Sequence, residues 1–385
     1  MLKFLFASDS FKGTLSSEET AEMLTVSAKE VFGSVECKSL AMADGGEGTA
    51  AAVIKAIGGK LMEAVVSGPL GHNIRATWGR LPGDRAIIEM ASASGLPLVP
   101  PEQRNPLHTT TFGTGQLIKA ALDEGIRDFY IAIGGSATND GGMGCMEALG
   151  IRFLNKQGHE LHGKGSSLAE VENIDVSQLD NHVKDARFTV MCDVTSPLCG
   201  KNGATYTFSA QKGATPKIQD LLEAGMCHYR DCIIRQFNIN PDNIAGSGAA
   251  GGLGAALLVF LNAKLMSGIE TVLNLTDFDN LIKDVDLVVT GEGKVDGQSC
   301  HGKVMQGIGK HCEKMGIPAI ALVGCIDEGA DNIINYGIRS LNASVASPIT
   351  LEEALGNAKA NYMNAARRMF RMIKVGYDIS QKTKS

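Results

Sequence analysis

Six carboxylates recur in one kind of place along this chain. Asp9, Asp44, Asp140, Asp193, Glu292 and Asp296 each sit in a short polar or glycine-rich loop just after an apolar, strand-like run. Any single one of them is more often a turn or helix-cap residue. Six in the same position suit phosphoryl transfer, which needs carboxylates for Mg²⁺, a base or orienter for the attacking hydroxyl, and N–H or cationic groups for the γ-phosphate. Lys12, Lys294 and Lys303 lie in such loops and supply cations, or are solvated loop charges. The densest stretch runs from Ala132 to Gly144, where glycine pairs bracket Ser136, Thr138, Asn139 and Asp140. Glycine there lets a ligand approach the main chain, and hydroxyls and N–H groups suit an anion. Residue types and spacing reach a nucleotide- or phosphate-handling enzyme and go no further.

Other motifs carry less. Gly158 to Lys164 and Gly297 to Lys303 nearly match a Walker phosphate loop, but Gly165 and Val304 stand where the Mg²⁺-binding hydroxyl belongs. Gly246-x-Gly248-x-x-Gly251 fits the dinucleotide pattern and opens a helix, yet the preceding Asn238 to Ala245, with its proline, makes a poor strand. Close helix packing or anion binding explains those glycines better. His301 adjoins the Glu292–Asp296 loop, whereas His159 and His162 flank Glu160 without metalloprotease spacing. No Cys/His group has zinc-ligand spacing, and there is no Gly-x-Ser-x-Gly elbow.

The chain's 385 residues exceed one typical core, so two domains are expected. The 44% hydrophobic and 20% charged composition is that of a soluble globular protein, and a net charge of −6 argues against nucleic acid or an anionic membrane as partner. Nine cysteines without a CxxC pair suit reduced thiols. Met1 to Phe6 begins like a strand, too short for a secretory signal, and no apolar run reaches the length of a membrane span. The expectation is a cytoplasmic protein, with a homo-oligomer left open.

The elements that must hold these loops alternate. Leu2 to Ala7 reads as a buried strand, followed by a helix that Ser16 and Glu19 open as a capping box. Val35 to Met42 and Ala50 to Ile57 repeat strand and helix. From Lys60 short strands separated by Gly-Pro and Pro-Gly turns suggest an antiparallel or mixed region. Ile151 to Leu154 and His159 to Leu161 form a hairpin, and Thr215-Pro216 starts a long helix to Phe237. Asp286 to Thr290, Ala319 to Val323 and Asn342 to Ala346 return to strands at a parallel spacing, and Leu351 to Ile373 closes as a helix. The fold class expected is α/β in two domains. A parallel-sheet, Rossmann- or flavodoxin-like domain comprises 1–66 and 265–385, and a second α/β domain, 67–264, is inserted into it.

Taken together the loops resemble the bacterial class I glycerate kinases along nearly the whole chain. The resemblance rests on Ser8-Asp9-Ser10-Phe11-Lys12-Gly13, Ala43-Asp44-Gly45-Gly46-Glu47-Gly48-Thr49 and Ala91-Ser92-Ala93-Ser94-Gly95-Leu96. It continues through Gly134 to Gly142, Cys192-Asp193-Val194-Thr195, Gly248 to Gly254, and Thr290-Gly291-Glu292-Gly293 to Asp296. Gln116 replaces an expected Glu and Met305 an expected Pro. The resemblance implies a cleft between two α/β domains and transfer of the ATP γ-phosphate to D-glycerate with Mg²⁺, giving 2-phosphoglycerate. Within that activity we assign catalysis to Asp44, Asp193 and Lys12. Substrate and phosphate binding fall to Asp9, Ser10, Gly45, Gly46, Ser136, Thr138, Asn139, Gly248 and Gly251, and metal binding to Asp140, Glu292 and Asp296. The alternatives are a dinucleotide-dependent oxidoreductase of a small hydroxy acid and a non-catalytic sugar-acid binding protein.

Overall fold

The computed structural model describes residues 1–11, 13–43, 45–46, 48–297 and 304–382. The chain packs as two compact units, Met1–Asp44 with Ile269–Ser385, and Gly45–Gly268. Among the described residues no helix is long and apolar enough to cross a membrane.

The first unit is built on a five-stranded parallel sheet. Its strands run Ile338–Ala343, Ala319–Val323, Leu287–Gly291, Leu2–Ser8, Val35–Ser39 from edge to edge. Numbered within the unit this is 2-1-3-4-5, the flavodoxin-like order, and it agrees with the expected fold class. Phe4, Leu5, Phe6 and Ala7 are all buried, as a central parallel strand covered on both faces demands. The expected capping box is present: Glu19 N–H donates to Ser16 Oγ at 3.1 Å and Ser16 N–H to the Glu19 carboxylate at 2.9 Å. The helix it starts, Ser17–Phe32, packs on Ala358–Lys382, where Phe370 stacks on Phe4 at 5.8 Å.

Two elements differ from expectation. The edge strand begins four residues early, at Ile338, because this buried isoleucine pairs with Ala319 and the register shifts there. The closing helix is two helices, Leu351–Gly356 and Ala358–Lys382. Asn357 stands between them and turns its side-chain amide back onto the Glu353 carbonyl at 3.0 Å, offering the backbone an alternative to helix.

The second unit carries a six-stranded mixed sheet. Lys264–Met266, Arg187–Met191, Asp128–Ala132 and Arg85–Glu89 run parallel, and Asn73–Leu81 and Lys60–Ser67 complete it antiparallel. Residues 45–66 pack in this unit rather than in the first, so the division falls after 44 and 268 rather than after 66 and 264. The cause is the Lys60–Ser67 strand, which pairs in full with Asn73–Leu81, from Lys60 opposite Arg80 to Ser67 opposite Asn73. Phe129 and Phe188 stack at 4.9 Å in a core that also encloses Trp78. Thr215 caps the Pro216–Phe237 helix, which ends at Asn238 in the left-handed conformation (φ 55°).

Candidate active site

In the first unit Ser8 pairs with Gly291 across the two central strands. Asp9 and Glu292 are the next residues on each, and Asp9 N–H donates to the Gly291 carbonyl at 2.9 Å. They stand where the strand order reverses, the position at which an open parallel sheet parts its loops and leaves a crevice for ligand. A cavity of about 700 Å³ opens there. Asp9, Glu292, Lys294 and Asp327 give it a charged end, and Val345, Leu351, Leu355 and Ala358 an apolar wall. The volume is within the range of small-ligand sites, roughly 300–1,000 Å³. Glu292 is 9% exposed. Ser10 donates its backbone N–H to Asp9 Oδ1 at 2.7 Å. Lys294 lies 2.8 Å from Asp327 and 4.0 Å from Asp296, and the Asp327 ion pair holds the lysine's pKa up. Gly324 is needed beside this site, because a Cβ on it would come within 2.1 Å of the Gly293 carbonyl oxygen.

In the second unit the Gly134–Asp140 loop closes into a polar knot. Asp140 is fully buried and accepts from Thr111 N (2.8 Å), Thr111 Oγ1 (2.7 Å), Gly142 N (3.1 Å) and Gly144 N (3.3 Å). Burial pushes its carboxyl up while these donors pull it down. Three donors meet Oδ2 and one meets Oδ1, so Asp140 braces the loop and the Phe112–Asp123 helix. Thr138 and Asn139 are likewise wholly buried, the Asn139 amide reaching Thr205 Oγ1 at 3.3 Å. Thr138 Oγ1 and Asn139 Oδ1 are buried without a hydrogen-bond partner, and the ligand-binding role expected of both residues stays an assignment from the sequence. Ser136 is 8% exposed.

Lys212 joins this knot. Its Nζ donates to Ser136 Oγ and to the Thr138 carbonyl, both at 2.7 Å, from a position only 2% exposed. Burial drives its pKa down to about 7, with the Asp140 charge pulling the other way. Sequence reasoning missed this lysine, whose partners lie 76 and 74 residues away, and no periodicity or motif marks it.

The glycines of the 246–254 segment have a packing role. A Cβ on Gly251 would sit 2.1 Å from the Thr138 carbonyl oxygen, and one on Gly248 at 2.1 Å from that of Pro197. The segment follows the 3-10 turn Pro241–Asn243 rather than a strand, so the dinucleotide reading loses its context. Gly45 packs against Met191 and Gly268, and Asp193 Oδ1 accepts the Gly268 N–H at 3.1 Å. The α-carbon of Gly46 lies near Gly134. The 45–46, 134 and 192–193 loops therefore gather at one edge of this sheet. Glu89, at the end of its own strand, accepts from Ala50 N at 2.7 Å and Gly48 N at 3.3 Å and caps the Thr49–Ile57 helix. Gln116 takes the Ser67 N–H at 2.7 Å, a bond an ionised Glu would make as well. Lys12, Asp44, Glu47, His301 and Lys303 lie outside the described residues.

A flavodoxin-like sheet with carboxylates and a large cavity at its switch point, joined to a second α/β unit, defines a ligand-handling α/β enzyme. Residues 4–374 match the glycerate kinase family, to which this chain belongs, as the motifs implied. It is 44% identical to the glycerate kinase of Bacillus subtilis (strain 168), over 95% of this chain and 96% of that one. It is 42% identical to the glycerate 2-kinase of Escherichia coli (strain K12), over 97% and 99%. The crystal structure of a putative glycerate kinase 2 from Salmonella typhimurium LT2 superposes with a TM-score of 0.87, at 40% identity over 98% of this chain and 99% of that one.

Proposed function

We propose that this chain transfers the γ-phosphoryl group of ATP to the 2-hydroxyl of D-glycerate, giving ADP and 2-phosphoglycerate, in the cytoplasm. Family membership over residues 4–374 carries the reading, and the name of the Escherichia coli relative supports the 2-position. In the transfer the hydroxyl oxygen forms the new P–O bond, the bond to the ADP oxygen breaks, and the hydroxyl proton passes to a carboxylate.

The cavity beside Asp9 and Glu292 suits the nucleotide, its apolar wall matching a base and its charged end the phosphates. Mg²⁺ is held in such enzymes by one or two carboxylates plus substrate phosphates. Asp9 and Glu292 fit that requirement, since both carboxylates line one cavity from adjacent strand ends. Asp140 does not, its oxygens being committed to four protein donors. When bound the ion neutralises phosphate charge. Asp296 remains our further assignment for the metal, its carboxylate lying 4.0 Å from Lys294 beside the Lys294–Asp327 pair. Asp44 and Asp193 remain our assignment for orienting and deprotonating the acceptor hydroxyl, and Lys12 for an anionic group of a substrate.

An ADP-release assay across small hydroxy acids, with Mg²⁺ or with excess EDTA, tests the proposal. Turnover is expected with glycerate and Mg²⁺ and is lost in EDTA, and phosphorus NMR of the product should show 2-phosphoglycerate. Glycerate binding without ADP release would mark a binding protein instead, and full activity in EDTA would remove the metal.

A further inference from the structure

The fold assembles a cluster that the chain order does not suggest. Cys199 lies in the bend that leads to the Ala204–Phe208 helix, and Glu223 and Cys227 lie one turn apart on the Pro216–Phe237 helix. One ligand atom from each falls within 4.8 Å of the other two. Cys199 and Glu223 are buried, at 6% and 9% exposure, and Cys227 is half-buried.

The carboxylate supplies the second observation. Glu223 Oε1 accepts the Gly200 N–H at 2.6 Å and the Cys227 thiol at 3.6 Å. Oε2 of the same group is buried and has no hydrogen-bond partner. A buried carboxylate oxygen left without a donor is costly, and a cation beside it removes the cost. The surroundings hold the three ligands in place. Asp242 accepts the Cys199 N–H at 2.8 Å through Oδ1 and Arg230 at 2.9 Å through Oδ2, fixing the loop to the chain beyond the helix.

We propose that Cys199, Glu223 and Cys227 bind a single borderline-soft divalent cation, zinc by preference, through two thiolate sulfurs and Glu223 Oε2. A water completes the tetrahedron. With metal–ligand bonds of about 2.0–2.3 Å, tetrahedral ligand atoms stand roughly 3.3–3.8 Å apart, so small side-chain adjustments complete the site. Sulfur ligands exclude Mg²⁺, which separates this centre from the one proposed for phosphoryl transfer. The ion fastens the 197–203 bend to the Pro216–Phe237 helix. That bend leads to Thr205, which receives Asn139, and on to Lys212, which holds Ser136. The centre is therefore structural, stiffening the segment that braces the Gly134–Asp140 loop. A Cys199–Cys227 disulfide is a poorer account of the cluster, because it leaves Glu223 Oε2 without a partner.

Titration of the full, reduced protein with Co²⁺ tests the site. We expect a near-ultraviolet sulfur-to-cobalt charge-transfer band that saturates at one ion per chain, accompanied by tetrahedral visible bands and displaced by Zn²⁺. Cys227→Ser should lose most of the charge-transfer intensity. Glu223→Gln should keep the band but bind at least about tenfold more weakly, no less than the loss on mutating a group that merely supports a metal ligand, because the amide keeps an oxygen but not the carboxylate charge. Cys325→Ser, which removes an exposed thiol elsewhere, should change nothing. Zn²⁺ should raise the melting temperature of the wild type and of Cys325→Ser more than that of Cys227→Ser. The proposal is overturned if no band appears, if Cys227→Ser retains it, or if the reduced protein binds no metal while oxidation links Cys199 to Cys227.

Discussion

Lys212 and Ser136 are locked together inside the second unit, Nζ to Oγ at 2.7 Å, with the Thr138 carbonyl at the same distance. A neutral amine has two N–H groups, and here two acceptors meet them. The lysine is thus suited to its site in uncharged form, in keeping with a pKa lowered by burial to about 7.

This fixes the sign of a pH effect. Between about pH 7 and the ordinary lysine value near 10.5, the folded chain holds the amine neutral while the unfolded chain holds it charged. The unfolded state then binds more protons, so this group's penalty on folding shrinks as pH rises, by up to about 1.4 kcal/mol per pH unit. In Lys212→Met the term is absent. Urea unfolding of both proteins at about pH 7 and about pH 9.5 should therefore show the wild type gaining stability relative to the variant. A difference independent of pH would mean that the buried lysine is not neutral.

Asp140→Asn separates a structural carboxylate from a metal ligand. The amide turns an N–H₂ toward a ring of donors, so at least one buried group loses its partner. We expect a loss of about 2–4 kcal/mol in urea unfolding, the scale for breaking charged buried hydrogen bonds. The Mg²⁺ concentration for half-maximal activity of the folded variant should stay at the wild-type value. A raised Mg²⁺ requirement with unchanged stability would restore the metal role.

What was legible in the residues is what depends on near neighbours. The Ser16–Glu19 box, the Thr215-Pro216 helix start and the strand at Ala319–Val323 rest on local chemistry or a continuous apolar run, and each appears where expected. Asp140 was visible as a strand-end carboxylate, but its role was not, because Thr111 reaches it from 29 residues away. Lys212 carries no local signal, and its meaning comes wholly from partners brought in by the fold. The placement of residues 45–66 depended on which strand Lys60–Ser67 would join, and a short strand does not declare its partner. The Cys199–Glu223–Cys227 cluster escaped notice for the same reason. Its helical pair is spaced one turn apart, yet the third ligand comes from a loop far upstream.

Glu292→Gln tests the switch-point site. The amide keeps the shape of the side chain and removes its charge from the charged end of the cavity. We expect kcat/KM to fall by on the order of a hundredfold, the scale for losing one electrostatic contact in a transition state. The Mg²⁺ concentration for half-maximal activity should rise with it. A variant with normal turnover and normal Mg²⁺ dependence would move the metal away from this strand end.

The last prediction sets Asp44 against Lys12, two residues whose roles rest on the sequence, since both lie outside the described structure. Asp44 directly precedes Gly45, which packs against Met191 and Gly268, and Gly268 is the residue whose N–H meets Asp193. A carboxylate at that position suits an acid–base or orienting role on the glycerate hydroxyl. Lys12 follows Phe11, which lines the cavity with Asp9, and suits an anion such as a phosphate or the substrate carboxylate. Asp44→Asn should lower kcat by on the order of a hundredfold or more, the usual scale for an acid–base group. Lys12→Met should raise the KM of one substrate with a smaller fall in kcat, the pattern of a contact that is equally strong in the ground and transition states. Steady-state kinetics with glycerate and ATP varied separately, beside a melting curve for each variant, makes the distinction. Near-normal turnover in Asp44→Asn would end its catalytic assignment. A large drop in melting temperature would show instead that Asp44 holds the turn before Gly45, and the search for the base would pass to Asp193.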